Sequence, residues 1–165
     1  MSVNQQKWKL NPMNILLHIP VPWVFVLTYL GGLIFQFILP FNLHAEEKLF
    51  YIRISGVIIF TLGALFASWS LIIFHKARTT TTPGESSKKI VIYGPYRYTR
   101  NPMYVSLILA YLGEAGILGQ LWPVIALPLV MAYVNWVVIP LEEEVLRKDF
   151  KDEYENYCSR VHRWF

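Results

Sequence analysis

ISGVIIFTLGALFASWSLIIF, Ile54 to Phe74, runs 21 residues without a charged side chain. A helix needs about 20 consecutive apolar residues to cross the hydrocarbon core of a bilayer, and this stretch meets that length. Three more stretches accompany it. Val21 to Leu39 carries no charge in 19 residues, Met103 to Leu118 carries one acid, Glu114, and Leu121 to Ile139 carries none in 19. Inside lipid only helices and closed barrels satisfy their own backbone, and no barrel pattern is present. The expected fold is therefore all-α. It is a polytopic membrane protein of one domain, with four transmembrane helices over about 21–39, 54–74, 103–118 and 121–139. The first stretch is read as a span and not as a cleaved leader, because it starts late and ends at Pro40 without a small-residue cleavage site.

Composition agrees with that reading. The 165 residues are 55% hydrophobic and 16% charged, with six Trp, ten Tyr and ten Phe, and the mean hydropathy is +0.37. Charged residues make up about a quarter of an ordinary soluble domain, so this chain lacks the polar surface to cover a water-facing globule. Its apolar content excludes disorder, and the single Cys158 excludes a disulfide scaffold. The net charge of +4 points, in so apolar a chain, to a membrane surface or an anionic small molecule before nucleic acid.

Lys and Arg are distributed unevenly. Lys7 and Lys9 precede the first span; Lys76, Arg78, Lys88, Lys89, Arg97 and Arg100 lie between the second and third; Arg147, Lys148, Lys151, Arg160 and Arg163 follow the fourth. Only Lys48 and Arg53 fall on the other side. The positive-inside rule then places both termini and the 76–101 loop in the cytoplasm.

Gly113, Gly116 and Gly119, followed by Gln120 and Pro123, predict a tight hairpin of the last two spans, with small residues letting two backbones approach. Residues 1–20 read as an interfacial lead-in, with Trp8 and Trp23 as anchors. In the loop, Thr79 to Thr82 precede a Pro83–Gly84 turn, and Lys88 to Tyr93 read as a short extended piece. After Pro140, the stripe Leu146, Phe150, Tyr154, Tyr157 and Val161 predicts a C-terminal amphipathic cytoplasmic helix over about 141–162.

Two segments carry candidate chemistry. In the acidic cluster, Glu143 and Glu144 stand four residues before Arg147 and Lys148, the favourable order for exposed helical pairs. Glu142 faces Leu146 instead, on the apolar stripe, without a basic partner in its own helix. A buried acid needs a partner, which a cationic ligand or ligand hydroxyls would supply. The second segment is GPYRYTRNPMY, Gly94 to Tyr104. Gly94–Pro95 reads as a turn, and Asn101–Pro102 as the N-cap and first residue of the third span. Capping leaves two arginines and three tyrosines unexplained, and helix-start amides with nearby Arg favour a carboxylate or phosphate. Glu114 is a candidate because it lies in a span, although it could snorkel outward. The four histidines have no metal-ligand spacing, and no metal site is expected. There is no P-loop, GxGxxG, HExxH or GxSxG.

Together these segments resemble the isoprenylcysteine carboxyl methyltransferases and the related small phospholipid methyltransferases. In that family a G-P-[YF]-R-[YF]-x-R-[HN]-P-x-Y segment opens a membrane helix. A Glu pair comes about forty residues later, in a pattern matched here by Glu142, Glu143, Leu146, Phe150, Tyr154, Tyr157, Val161 and Arg163. The resemblance covers roughly the last 80 residues. It implies a methyltransferase using S-adenosyl-L-methionine, bound between the last helices near the cytoplasmic face. By the same resemblance Gly94, Pro95, Tyr96, Tyr98, Asn101, Pro102, Tyr104 and Glu143 build the cofactor pocket together with Arg100, which is counted as catalytic beside Glu142, the acid at the reaction end. The acceptor it implies is a lipophilic molecule carrying a carboxylate, amine or thiol, entering from the bilayer. Three departures stand out: Asn101 replaces the His of the prenylcysteine enzymes, Lys151 replaces the usual Gly after Phe150, and Asn135 is the one strongly polar residue where an Arg precedes the Glu cluster. Two other classes share some of these features, an NADPH-dependent membrane reductase of the sterol reductase type and a non-enzymatic membrane scaffold. The resemblance points to membrane lipids as partners and to no nucleic acid, and oligomeric state is not legible.

Overall fold

The computed structural model describes residues 20–40, 46–77 and 90–165. The expectations for Trp8, for the turn after Thr79 and for the start of the extended piece at Lys88 lie outside those residues. All regular structure among the described residues is helical. Helix α1 spans Val21–Ile38, α2 Glu46–Ala77, α3 Pro102–Leu118, α4 Trp122–Tyr133 and α5 Ile139–Cys158, with a 3-10 turn at Gly94–Arg97 and a π-helical segment at Val134–Val138. Helix α4, the π segment and α5 run on without interruption as far as a bend at Lys151. Three helices are long and apolar enough to cross a membrane, namely Val21–Ile38, Lys48–Ala77 and Trp122–Cys158; Pro102–Leu118 is apolar and shorter.

The core lies among α1, α3 and α4. Val21, Phe25 and Tyr29 of α1 meet Tyr104, Tyr111 and Ala115 of α3 and Leu127 and Val130 of α4. The Tyr111 ring stands edge-on to Tyr29 at 5.0 Å, and its hydroxyl donates to the Pro123 carbonyl at 2.9 Å. At the same end the Trp122 indole donates to the Leu39 carbonyl at 2.8 Å, tying the end of α1 to the start of α4.

Helix α2 packs on α3 from outside this core. Its buried positions include Gly56, Gly63 and Ser70, seven residues apart along one seam. Lipid offers no hydrophobic driving force between helices, so close backbone contact takes its place. This corrects the expected role of the hairpin glycines: Gly113, Gly116 and Gly119 all face α2, not α4. A Cβ on Gly113 would stand 2.5 Å from the Phe60 nitrogen and 2.6 Å from its Cα. Those are backbone atoms and cannot swing aside. Gly113→Val is expected to lower stability by about 3 kcal/mol, the upper end of ordinary overpacking. Gly31→Val, where nothing lies within 4 Å, serves as the control and should leave the thermal unfolding midpoint in detergent close to wild type.

Two proline effects shape the last rod. Pro140 has no N–H and its ring crowds the preceding turn; the helix widens there, and Ile139 N–H bonds the Val134 carbonyl five residues back. The chain therefore does not stop and restart at Pro140, as the sequence suggests, but runs through it. The predicted stripe over 141–162 is also broken. Lys151 adopts φ 43°, ψ −117°, a positive-φ conformation that side chains with a Cβ rarely take. The bend brings Arg147 Nε within 2.8 Å of Glu155 Oε1, eight residues on, a separation of about 12 Å along a straight helix. Val161 lies beyond the helix end at Cys158. Lys151 occupies the place where the resembling pattern has Gly, and the positive φ supplies the reason. Lys151→Gly is expected to raise stability by about 1 kcal/mol, seen as an upward shift of roughly 2–4 °C in the unfolding midpoint.

Candidate functional site

The segment opening α3 is held by packing at its start and by hydrogen bonds at its end. Gly94, at φ +65°, turns the chain so closely against α2 that an added Cβ would stand 3.0 Å from Ile73. Pro95 and Tyr96 come next, both buried, and the Tyr96 ring packs on Phe74 with centroids 5.5 Å apart. Burial, with Tyr157 and Glu142 nearby, pushes the Tyr96 phenol well above its ordinary pKa, so it stays protonated. Its carbonyl accepts from the Tyr157 hydroxyl at 2.7 Å. Thr99 is fully buried and its hydroxyl donates to the Arg163 carbonyl at 2.9 Å. Asn101 occupies the N-cap position and Pro102 the first turn, but the Asn101 side chain makes no cap bond. Its amide instead donates to the Arg163 carbonyl at 2.9 Å, because the C-terminal residues fold back over the helix start. Arg100 N–H bonds the His162 carbonyl at 3.0 Å in the same contact.

The acidic cluster lies against this segment. Tyr104, one turn into α3, donates its hydroxyl to Glu142 Oε1 at 2.6 Å. Glu143, paired by the sequence with Arg147 at i,i+4 and set by the resemblance among the cofactor-pocket residues, is the most buried of the three acids, at 4% exposure. Arg163 grips it with a fork, Nε to Oε1 at 3.2 Å and Nη2 to Oε2 at 2.8 Å. Arg100 Nη2 lies 3.2 Å from Oε1, and Arg147 reaches Oε2 at 3.7 Å. The hydrogen bond to Glu143 raises the Arg163 pKa further, so it remains a cation. The environment comes from remote chain: Arg163 returns to Glu143 from 20 residues further on, and Arg100 reaches it from the start of α3.

Arg100 is therefore anchored, with Nη2 on Glu143 and Nη1 on Cys158 Sγ. Its Nε is buried without a hydrogen-bond partner. Glu142, among the described residues, has Tyr104 as its hydrogen-bond partner and no ion pair. Tyr98, expected with this group, is 62% exposed. Glu114 is also exposed. Among the described residues no group of His, Cys, Asp or Glu has the arrangement to hold a metal.

Sequence reasoning passed over Arg163 as a site residue, together with Trp164 and Asn135. Trp164 Nε1 donates to Asn135 Oδ1 at 3.0 Å, and Arg163 Nη1 donates to the Asn135 carbonyl at 3.3 Å. The available signal was the Arg closing the family pattern. Nothing in a linear reading placed it on Glu143, 20 residues away.

Three helices of membrane-crossing length and composition, with a cluster of arginines, tyrosines and acids where the start of α3 meets α5, define an integral membrane protein. The family model described as phospholipid methyltransferase matches residues 51–153. The chain belongs to that family. It is also similar to two curated plant proteins, the probable protein-S-isoprenylcysteine O-methyltransferases of Oryza sativa subsp. indica and subsp. japonica, each 25% identical over 118 residues. The match takes in 70% of this chain and 62% of each relative's length. No solved structure matches it significantly.

Proposed function

We propose that the chain is a membrane methyltransferase that takes its methyl group from S-adenosyl-L-methionine and gives it to a lipophilic acceptor entering from the bilayer. The arrangement proposed with it has four crossings, α3 and α4 being the last two, with the site and both termini at the cytoplasmic face. Family membership supports the reaction class, and the Lys and Arg distribution supports the orientation.

The observation that carries the reading is the 2.6 Å bond between Tyr104 and Glu142, which joins the two sequence-remote motifs and, among the described residues, leaves Glu142 without an ion pair. The residues present fit the donor. The Arg100 Nε–H is buried and unpartnered, and a carboxylate would satisfy it. Glu142 retains free acceptor capacity beside its bond to Tyr104, suited to ligand hydroxyls or a positive centre. When bound, the sulfonium supplies an already activated methyl, so the protein needs alignment and water exclusion more than acid–base power. In this reading Tyr104 fixes the rotamer of Glu142, Glu143 fixes Arg100, and the two held groups grip opposite ends of the donor. Tyr96 and Tyr157 close the apolar side against water.

Calorimetry of the detergent-purified protein with S-adenosylhomocysteine tests this. Saturable binding that weakens in Glu142→Ala is expected; no binding by wild type ends the proposal. Methylation of a lipid extract with labelled donor, followed by mass analysis of the product, then identifies the acceptor.

A further inference from the structure

Arg163 is the residue through which three separate parts of the chain are tied at the site. Its guanidinium takes both oxygens of Glu143 and reaches the Asn135 carbonyl in the π segment. Its own carbonyl accepts from Thr99 and from Asn101, at 2.9 Å each. The residues on either side complete the strap: the His162 carbonyl accepts from Arg100 N–H, and the Trp164 indole donates to Asn135. Arg100 is thereby constrained twice, at its backbone by the strap and at its Nη2 by a carboxylate that Arg163 itself holds. What remains of Arg100 is a buried Nε–H with nothing bonded to it.

We infer that Arg163 is a positioning residue that presents Arg100 to an anionic group of the donor. The inference rests on the donor reading above and adds the element that orients its anion-binding end. A bidentate fork fixes both the place and the plane of Glu143, which a single point contact would not do. Without the fork, Glu143 is free to turn toward Arg100 Nε and satisfy it internally, and the group available to ligand is lost. The consequence is selective: ligands with a carboxylate lose affinity, while ligands without one do not.

The experiment compares two probes, S-adenosylhomocysteine, which carries the amino-acid carboxylate, and 5′-methylthioadenosine, which lacks it. Binding of each is measured by calorimetry in wild type, Arg163→Gln and Arg163→Lys. The expected result in Arg163→Gln is a loss of about tenfold or more for S-adenosylhomocysteine, the scale of one charge-assisted hydrogen bond, and little change for 5′-methylthioadenosine. Arg163→Lys keeps the charge without the fork and should fall between. Equal losses for both probes, or none for either, overturn the inference and leave the donor reading intact. Binding of neither probe by wild type overturns the donor reading, and this assignment with it. If Arg163→Gln does not fold, Arg163→Lys carries the same comparison: a selective loss supports the role and equal affinities relative to wild type remove it.

Discussion

Glu143→Ala is expected to destabilise the protein by about 3 kcal/mol, the low end of what breaking a buried ion pair costs. That size reflects where the three arginines stand. Arg100 has a side-chain exposure of 14%, and with Glu143 gone its charge is stranded. Arg163 and Arg147 are 30% and 47% exposed, so water can take over much of their solvation. One stranded cation, not three, sets the size of the effect. The strap loses its fork on Glu143 at the same time. Two readouts should move together: a lower thermal midpoint in detergent and earlier proteolytic cleavage near the C-terminus. Glu143→Gln keeps the hydrogen-bonding shape without the charge and should lie between wild type and Ala. A Glu143→Ala protein as stable as wild type would show that the cluster is not a structural hub.

Glu142→Gln should give the opposite pattern, a large loss of activity with little loss of stability. Gln keeps an oxygen for the Tyr104 hydroxyl, so no buried donor is orphaned. The negative charge disappears, and with it the electrostatic complement to a positive centre in a desolvated site. Removing such a group costs on the order of a hundredfold in kcat/KM. Tyr104→Phe keeps the carboxylate but frees its rotamer, and a loss of about tenfold is expected from one hydrogen bond to a charged group. Methyl transfer to lipid extract, read beside the unfolding midpoint, checks both variants. If Glu142→Gln keeps full activity, the carboxylate is not at the reacting end.

The two adjacent carboxylates have different surroundings: Glu142 accepts from Tyr104, and Glu143 meets three arginines. The sequence puts Glu142 on the apolar stripe and pairs Glu143 with Arg147, a pair the structure keeps at 3.7 Å. The structure keeps Glu142 within reach of Tyr104 and also buries Glu143 among three arginines. The cause is twofold. Arg100 reaches Glu143 from the start of α3, and the chain's end returns with an arginine whose sequence position says nothing of its destination. The hairpin glycines illustrate the same limit. Their spacing announced close packing, yet spacing within one helix does not say which neighbour will be close, and the neighbour is α2. Lys151 is the converse case. Its departure from the pattern was visible as a substitution, and only its φ of 43° explains why glycine suits the position.

What the amino-acid order determined by itself was whatever depends on runs and nearest neighbours. Apolar length set the helices, since a backbone in lipid must bond to itself. Pro102 and Gly119 set the ends of α3, through a missing donor and a left-handed cap. The two motifs supplied most of the candidate side chains, but not the part Arg163, Trp164 and Asn135 take among them. Tertiary structure alone decided which of those side chains meet, because each meeting is a contact between residues tens of positions apart: Tyr104 with Glu142, Arg100 with Glu143, and Arg163 with both sides of the join. Those contacts depend on crossing geometry, on one widened turn and on a strap that folds back, none of which leaves a periodic trace in the chain.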